Sequence, residues 1–316
     1  MKTLHGVYAY PIPETITKGI DGCILDAISE DPKVYCSYAN KDDINLLVIR
    51  QGIVNDLLNY YPNVRWLQLL NAGYEKVNLE LLRQRGILFT NARSVYCGTI
   101  AEDVIAKILF LARNYMHHFR DQAQHFWPND EQLPNSNLDL NGRVLGILGA
   151  GAIGHEIATR ARIFGLVVRG YDPYISQRDG FEVIYQGESG LKQLMHESDF
   201  VITSLPVTPE TTDIINDVTL GYMKPSAYLI NVARGAIVDE YALVHALNCR
   251  QIAGAALDVT KTEPLPADSP LWTAENLLLT PHRAAYGDQM TSKMCALIER
   301  NIRHYLSDEP LEDRIL

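Results

Sequence analysis

The chain has 316 residues, of which 47% are hydrophobic and 21% charged, and 28 Lys and Arg against 38 Asp and Glu give a net charge of −10. This length exceeds one ordinary core and suits two domains of about 150 residues, while the composition is that of a globular protein and does not indicate disorder. An acidic balance without clustered Lys or Arg argues against a nucleic-acid partner. The five cysteines, Cys23, Cys36, Cys97, Cys249 and Cys295, are odd in number, far apart and without a CxxC pair, as expected in a reducing cytoplasm; no metal site is expected. The opening "MKTLHGVYAYPIPE" lacks a signal-like apolar region, and no run approaches the roughly 18 apolar residues of a membrane span. The expectation is a cytoplasmic protein without a membrane partner.

Short β-rich runs alternate with helical patterns from end to end, which predicts an α/β protein with parallel sheets. Before residue 97 the candidate strands are "GVYAY", "KVYCSY", "NLLVIR", "RWLQLL" and "GILFT", with helical stretches around 53–60 and 78–85. Residues 98–119, "GTIAEDVIAKILFLARNYMHHF", repeat Ile100, Val104, Ile108 and Leu111 at helical spacing and predict one long helix joining two domains. After the polar "WPNDEQLPNSNLDLNG" comes a second strand series: "RVLGILG", "LVVRGYD", "DFVITSLP", "AYLINVA", "IAGAALDV" and "NLLLT". The last helical stretch, "DQMTSKMCALIERNIRHYL", is expected to return to the first unit. The second α/β unit is the larger, and no internal repeat is visible.

The strand "RVLGIL" runs into "GAGAIG", with Gly149, Gly151 and Gly154, and then into the helical pattern "HEIATRARIFG". A GxGxxG alone is weak, but between a strand and a helix it has a mechanism. The first glycine permits the tight turn, the second lets the backbone approach a pyrophosphate, and the third lets helix pack on strand. The next strand ends at Asp172, 18 residues beyond Gly154, where a carboxylate accepts ribose hydroxyls and repels a 2′-phosphate. The expected cofactor is NAD. Because the fingerprint lies mid-chain, the cofactor domain is inserted into, or follows, the other domain.

Three further segments, "LINVARGAIVDE" with Arg234, "GAALDVTKTEPLP" with Asp258 and Glu263, and "LTPHRAAYGD" with His282, each put a charged group at or just after a strand end. Singly they have dull structural readings: a surface cation, a loop carboxylate, a strand cap. Together they share the edge where open α/β sheets bind ligands. An Arg, a Glu and a His converging there hold a carboxylate, tune a base and move a proton.

Over nearly its whole length the chain resembles the D-isomer-specific 2-hydroxyacid dehydrogenase family. The resemblance is carried by "GILGAGAIG", "SLPVTPETTDIIN", "MKPSAYLINVARGAIVDEYALVHAL", "IAGAALDVTKTEPLP" and "LLLTPH" in that order. It implies two Rossmann- or flavodoxin-like parallel-sheet domains with a cleft between them: a discontinuous substrate-binding domain, residues 1–97 and 287–316, and an inserted dinucleotide-binding domain, residues 98–286. It implies hydride transfer between NAD(H) and a small 2-oxo or D-2-hydroxy acid. Arg234 then binds the substrate carboxylate and carbonyl, and His282 is the general acid/base, paired with Glu263. The backbone of Ala72 and Gly73 in "LLNAGYEKV" grips the carboxylate. Ala152 and Ile153 meet the pyrophosphate and Asp172 the ribose; Leu205, Pro206 and Thr211 border the adenine side, and Val232, Ala233 and Asp258 approach the nicotinamide. A homodimer is implied, with Trp127 near the twofold or in the partner's cleft.

The chain departs from the family pattern at Gly73-Tyr74-Glu75, where "GVD" is common, and near Tyr96, where an asparagine is common. It also carries Ala284 and Ala285 after the histidine, where glycines are frequent near the nicotinamide. The substrate side chain is expected to meet Arg50, Tyr74, Tyr96 and Trp272. Alternatives remain: an NAD(H)-sensing regulatory protein, since such relatives keep the trio; a phosphoglycerate dehydrogenase, although the chain ends too soon for the regulatory domain many of these carry; and a formate dehydrogenase, in which glutamine usually replaces Glu263.

Overall fold

The apolar runs form two all-parallel sheets in a computed structural model that describes residues 2–29, 31, 41–129 and 137–316. The candidate strand "KVYCSY" and Cys36 lie outside these residues. The chain divides into two compact units, one taking it up to Tyr96 together with Gly287–Leu316, the other Cys97–Tyr286.

In the first unit β1 (Leu4–Tyr8), β2 (Cys23–Ala27), β3 (Leu46–Ile49), β4 (Trp66–Leu69) and β5 (Leu88–Thr90) form a sheet of order β2-β1-β3-β4-β5. All residues of β3 and β4 are buried, as strands covered on both faces must be. The helix Met290–Leu306 brings Met294, Leu297, Ile298 and Ile302 onto Leu4, Leu25 and Trp66. This is the predicted return of the chain's last helix to the first unit. A buried polar chain locks it there. Trp66 Nε1 donates to Thr90 Oγ1 at 2.9 Å, Thr90 Oγ1 to Gln68 Oε1 at 2.9 Å, and Asn301 Nδ2 to the same Gln68 oxygen at 2.9 Å. Satisfied networks of this kind fix one arrangement of a core.

The second unit holds β6 (Val144–Leu148), β7 (Val167–Tyr171), β8 (Val183–Tyr185), β9 (Phe200–Thr203), β10 (Tyr228–Asn231), β11 (Gly254–Leu257) and β12 (Leu277–Leu279). Their order, β12-β11-β10-β9-β6-β7-β8, reverses direction between β6 and β9. In doubly wound sheets that reversal opens a crevice at the strands' carboxyl ends.

The long helix differs from the expectation. It runs Arg93–Ala112 and stops, and a second helix, Tyr115–Ala123, follows Asn114. Asn114 is left-handed, with φ 55° and ψ 35°, a conformation that asparagine tolerates better than most side chains. Two strands were not anticipated, β2 and β8, and both lie at sheet edges. Ile24 of β2 is 57% exposed, so neither shows the continuous apolar run of a central parallel strand.

Candidate active site

The reversal point is built by the glycine turn after β6. Gly149 has φ +103°, donates its N–H to Tyr171 O at 2.8 Å and accepts from Ser204 Oγ at 2.9 Å. Gly151 caps the helix Ala152–Ile163, and a Cβ there would meet nothing within 4 Å. A Cβ on Gly154 would lie 2.1 Å from Gly149 O, so helix and turn touch where only hydrogen fits. The first N–H groups of that helix, from Ala152 and Ile153, have no intrahelical acceptor and carry the positive end of its dipole. An open concavity lined by such donors fits a pyrophosphate. At the end of β7, buried Asp172 accepts from Ala150 N at 3.0 Å, Tyr174 N at 2.9 Å and Ile175 N at 3.0 Å, and Arg178 Nη1 donates to Ala150 O at 3.0 Å. Arg178 was not singled out in the sequence.

At the ends of β10, β11 and β12 the three charged segments are tied together by backbone. Buried Asn231 accepts from Ala233 N and Thr203 Oγ1 and donates to Arg234 O, fixing the turn that carries Arg234. The guanidinium donates to Ala233 O at 2.7 Å. The next residue, Gly235, runs so close to the following loop that a Cβ would be 2.0 Å from the carbonyl carbon of Thr260. That loop leads to Glu263, whose Oε1 accepts from Thr260 N at 3.1 Å and whose Oε2 lies 2.7 Å from His282 Nδ1. A carboxylate only accepts, so a proton on Nδ1 makes this contact a hydrogen bond and leaves Nε2 as the other ring nitrogen able to exchange one.

His282 has φ +54°, uncommon for a side chain with a Cβ. Asp258, 2% exposed, holds this backbone. Its carbonyl accepts from His282 N at 2.7 Å. Its Oδ1 accepts from Thr280 Oγ1 at 2.6 Å and Arg283 N at 3.0 Å, and its Oδ2 from Ala284 N at 2.9 Å. Asp258, expected at the cofactor, thus also fixes the backbone that carries His282. Lys107, not a candidate in the sequence, pairs its buried ammonium with Asp103 and lies 3.9 Å from Asp258 Oδ1.

Leu205, Val232 and Ala233 are buried, and Thr211 Oγ1 donates to Pro206 O at 2.7 Å, closing that loop. Trp272 Nε1 donates to Pro266 O at 2.8 Å. In the first unit Asn91 Nδ2 donates to Ala72 O at 2.7 Å beside half-buried Gly73, and Arg50 is exposed at the start of the turn Gln51–Ile53. Tyr74 packs edge-on against Phe89, ring centroids 5.6 Å apart. Tyr96 donates its hydroxyl to Leu70 O at 2.6 Å. Among the described residues no cluster of three or more His, Cys, Asp or Glu is arranged to hold a metal, and no helix is long and apolar enough to cross a membrane.

Comparison with known proteins matches residues 105–284 to the family described as "D-isomer specific 2-hydroxyacid dehydrogenase, NAD binding domain". A glyoxylate reductase of Korarchaeum cryptofilum is 33% identical over 279 residues, 88% of this chain and 83% of the relative. A D-3-phosphoglycerate dehydrogenase of Methanocaldococcus jannaschii is 30% identical over 273 residues, 86% of this chain but only 51% of the relative. The chain thus spans about half the length of that dehydrogenase. Among solved structures, a D-isomer specific 2-hydroxyacid dehydrogenase from Xanthobacter autotrophicus, in complex with NADPH and MES, superposes with a TM-score of 0.83 at 26% identity, covering 100% of this chain and 98% of that one.

Proposed function

Because the chain belongs to the D-isomer specific 2-hydroxyacid dehydrogenase family, we propose that it interconverts a small 2-oxo acid and the corresponding D-2-hydroxy acid with NAD(H). The observation that carries this reading is the 2.7 Å contact between His282 Nδ1 and Glu263 Oε2, on loops that share a sheet edge with Arg234. In the reducing direction one 2-oxo acid, one NADH and one proton give one 2-hydroxy acid and one NAD. The dinucleotide, when bound at the Gly149–Gly154 turn, supplies or takes up the hydride.

The chain's own groups do the rest. Arg234 offers a planar fork to the substrate carboxylate and a positive field to the carbonyl. His282 Nε2 delivers the proton to the carbonyl oxygen in reduction and removes it in oxidation. Glu263 orients the ring through its contact with Nδ1. The unit Cys97–Tyr286 is read as the dinucleotide-binding domain, and the other as the substrate domain, with the Ala72 and Gly73 backbone on the carboxylate and Arg50, Tyr74 and Tyr96 near the substrate's side chain. Asp172 at the end of β7 supports NAD over NADP.

Steady-state rates with glyoxylate, hydroxypyruvate, 3-phosphohydroxypyruvate, pyruvate, phenylpyruvate and 2-oxoisocaproate, each with NADH and NADPH, test substrate class and cofactor together. Absence of turnover with the whole panel would overturn the enzymatic reading. Equal efficiency with NADPH would overturn the role of Asp172.

We further propose a cytoplasmic homodimer. Support comes from four aromatic side chains close in sequence, Tyr115, Phe119, Phe126 and Trp127, exposed by 46%, 58%, 46% and 94%. Apolar surface of this kind in one segment marks an interaction site. Sedimentation as a monomer at micromolar concentration would refute it.

A further inference from the structure

Lys107 sits in the helix Arg93–Ala112, whose neighbouring Val104, Ile108 and Leu111 are buried. Its own side chain is 3% exposed. An apolar side chain would fill this position without the desolvation penalty that a buried ammonium carries, so the charge has to be explained. It is flanked by two carboxylates. Asp103, one turn earlier, pairs with it directly, and Asp258 Oδ1 lies 3.9 Å away. Burial pushes the Asp103 carboxyl above its usual value, and the hydrogen bond from Lys107 opposes that rise. The group Asp103–Lys107–Asp258 therefore carries one net negative charge when all three are ionised, and between Lys107 and Asp258, 3% and 2% exposed, water screens little. Asp258 also holds the backbone of residues 282–284.

We propose that Lys107 is a positioning residue for the cofactor, its charge acting through Asp258 to set how strongly the site prefers the reduced over the oxidised nicotinamide dinucleotide. This rests on the reading that Asp258 stands at the nicotinamide end. The oxidised ring carries a positive charge and the reduced ring none. A bare carboxylate beside it favours the oxidised form, and an ammonium behind that carboxylate offsets the preference. The lysine thus biases the site toward the dinucleotide that drives reduction of an oxo acid.

The test is the ratio of dissociation constants, NAD over NADH, from separate fluorescence or calorimetric titrations of the full chain without substrate. Lys107→Met leaves two uncompensated carboxylates, and the ratio should fall roughly tenfold, as for loss of one poorly screened charge several ångströms away. Asp103→Asn releases Lys107 toward Asp258, and the ratio should rise by roughly threefold on the same reasoning. Lys107→Arg keeps the charge and should keep the parent ratio.

Opposite shifts in the two variants support the proposal, because a loosened helix would weaken both ligands alike. Unchanged ratios, or shifts of the same sign, overturn it. If Lys107→Met does not fold, the sign of the Asp103→Asn shift decides alone. Asp258→Asn separates the two levels of the reading: it should raise the ratio. If it does so while the Lys107 and Asp103 variants do not move, only the role of Lys107 falls. If Asp258→Asn leaves the ratio unchanged, the placement of Asp258 at the nicotinamide falls, and this proposal with it.

Discussion

Alanine at Gly154 and alanine at Gly151 should fail in different ways. On Gly154 the new methyl would stand 2.1 Å from Gly149 O and 3.2 Å from its carbonyl carbon, about 1 Å inside normal contact. The turn cannot give way. Gly149 is already at φ +103° and is held by Tyr171 on one side and Ser204 on the other. The helix Ala152–Ile163 must move instead, and overpacking of this kind costs about 1–3 kcal/mol. For a unit of this size that lowers the melting midpoint by roughly 2–12 °C. Gly151 is the opposite case. Its φ is −67°, and the added methyl would meet no protein atom within 4 Å, so folding loses at most the small cap preference of glycine over alanine, below about 1 kcal/mol. The methyl would instead occupy the concavity assigned to the pyrophosphate. A clash of about 1–3 kcal/mol there weakens NADH by roughly 5- to 150-fold. Thermal denaturation followed by circular dichroism and NADH fluorescence titration read the two effects separately. A Gly154→Ala protein that melts with the parent, or a Gly151→Ala protein that binds NADH like the parent, would refute the reasoning.

Removing the ring in His282→Ala should lower turnover by roughly 10²- to 10⁴-fold with NADH affinity nearly intact, and a fully active variant would return this histidine to a structural role. In Glu263→Gln the ring loses the carboxylate that fixes its Nδ1, so turnover in both directions should fall by roughly 10²-fold through misplacement of the imidazole with NADH affinity nearly intact; parental rates would dissociate the pair. The Arg300 fork on Glu312, at 2.7 and 3.1 Å, holds that carboxyl below its usual value of 4.5. The stability it contributes is present above pH 4.5 and lost as pH falls through the lowered value. Both side chains are more than a third exposed, so Glu312→Gln should cost about 0.5 kcal/mol or less at neutral pH, and urea midpoints of variant and parent should converge in acid. Tyr74→Ala and Tyr96→Ala should each change the ranking of the oxo-acid panel; an unchanged ranking leaves both phenols as packing groups, in line with the Phe89 and Leu70 contacts they make.

What could be read in advance followed burial. The central strands were legible because parallel strands covered on both faces show as unbroken apolar runs, and β3, "LLVI", is buried at every position. The edge strands were not: β2 carries Asp26 and an exposed Ile24, and β8 has only three residues. The break at Asn114 was hidden because the apolar repeat counts side chains, whereas the break is a backbone event. At the site, residue type and spacing pointed to Arg234, Glu263 and His282, and the structure joins the last two. The supporting role of Asp258 was out of reach, since its partners are backbone N–H groups more than twenty residues away. Lys107 did leave a mark, a D-x-x-x-K pair inside an apolar helix. Such pairs are ordinarily surface features, and only burial shows that this one is not.

The near-contact of Gly235 with Thr260 bears on how this site can be altered by design. Two strand-end loops that touch backbone to backbone cannot be lengthened one at a time. An extra residue in either would push against the other and carry Arg234 away from Glu263, and with it from His282. Grafting new chemistry onto this sheet edge therefore requires exchanging both loops as a single cassette.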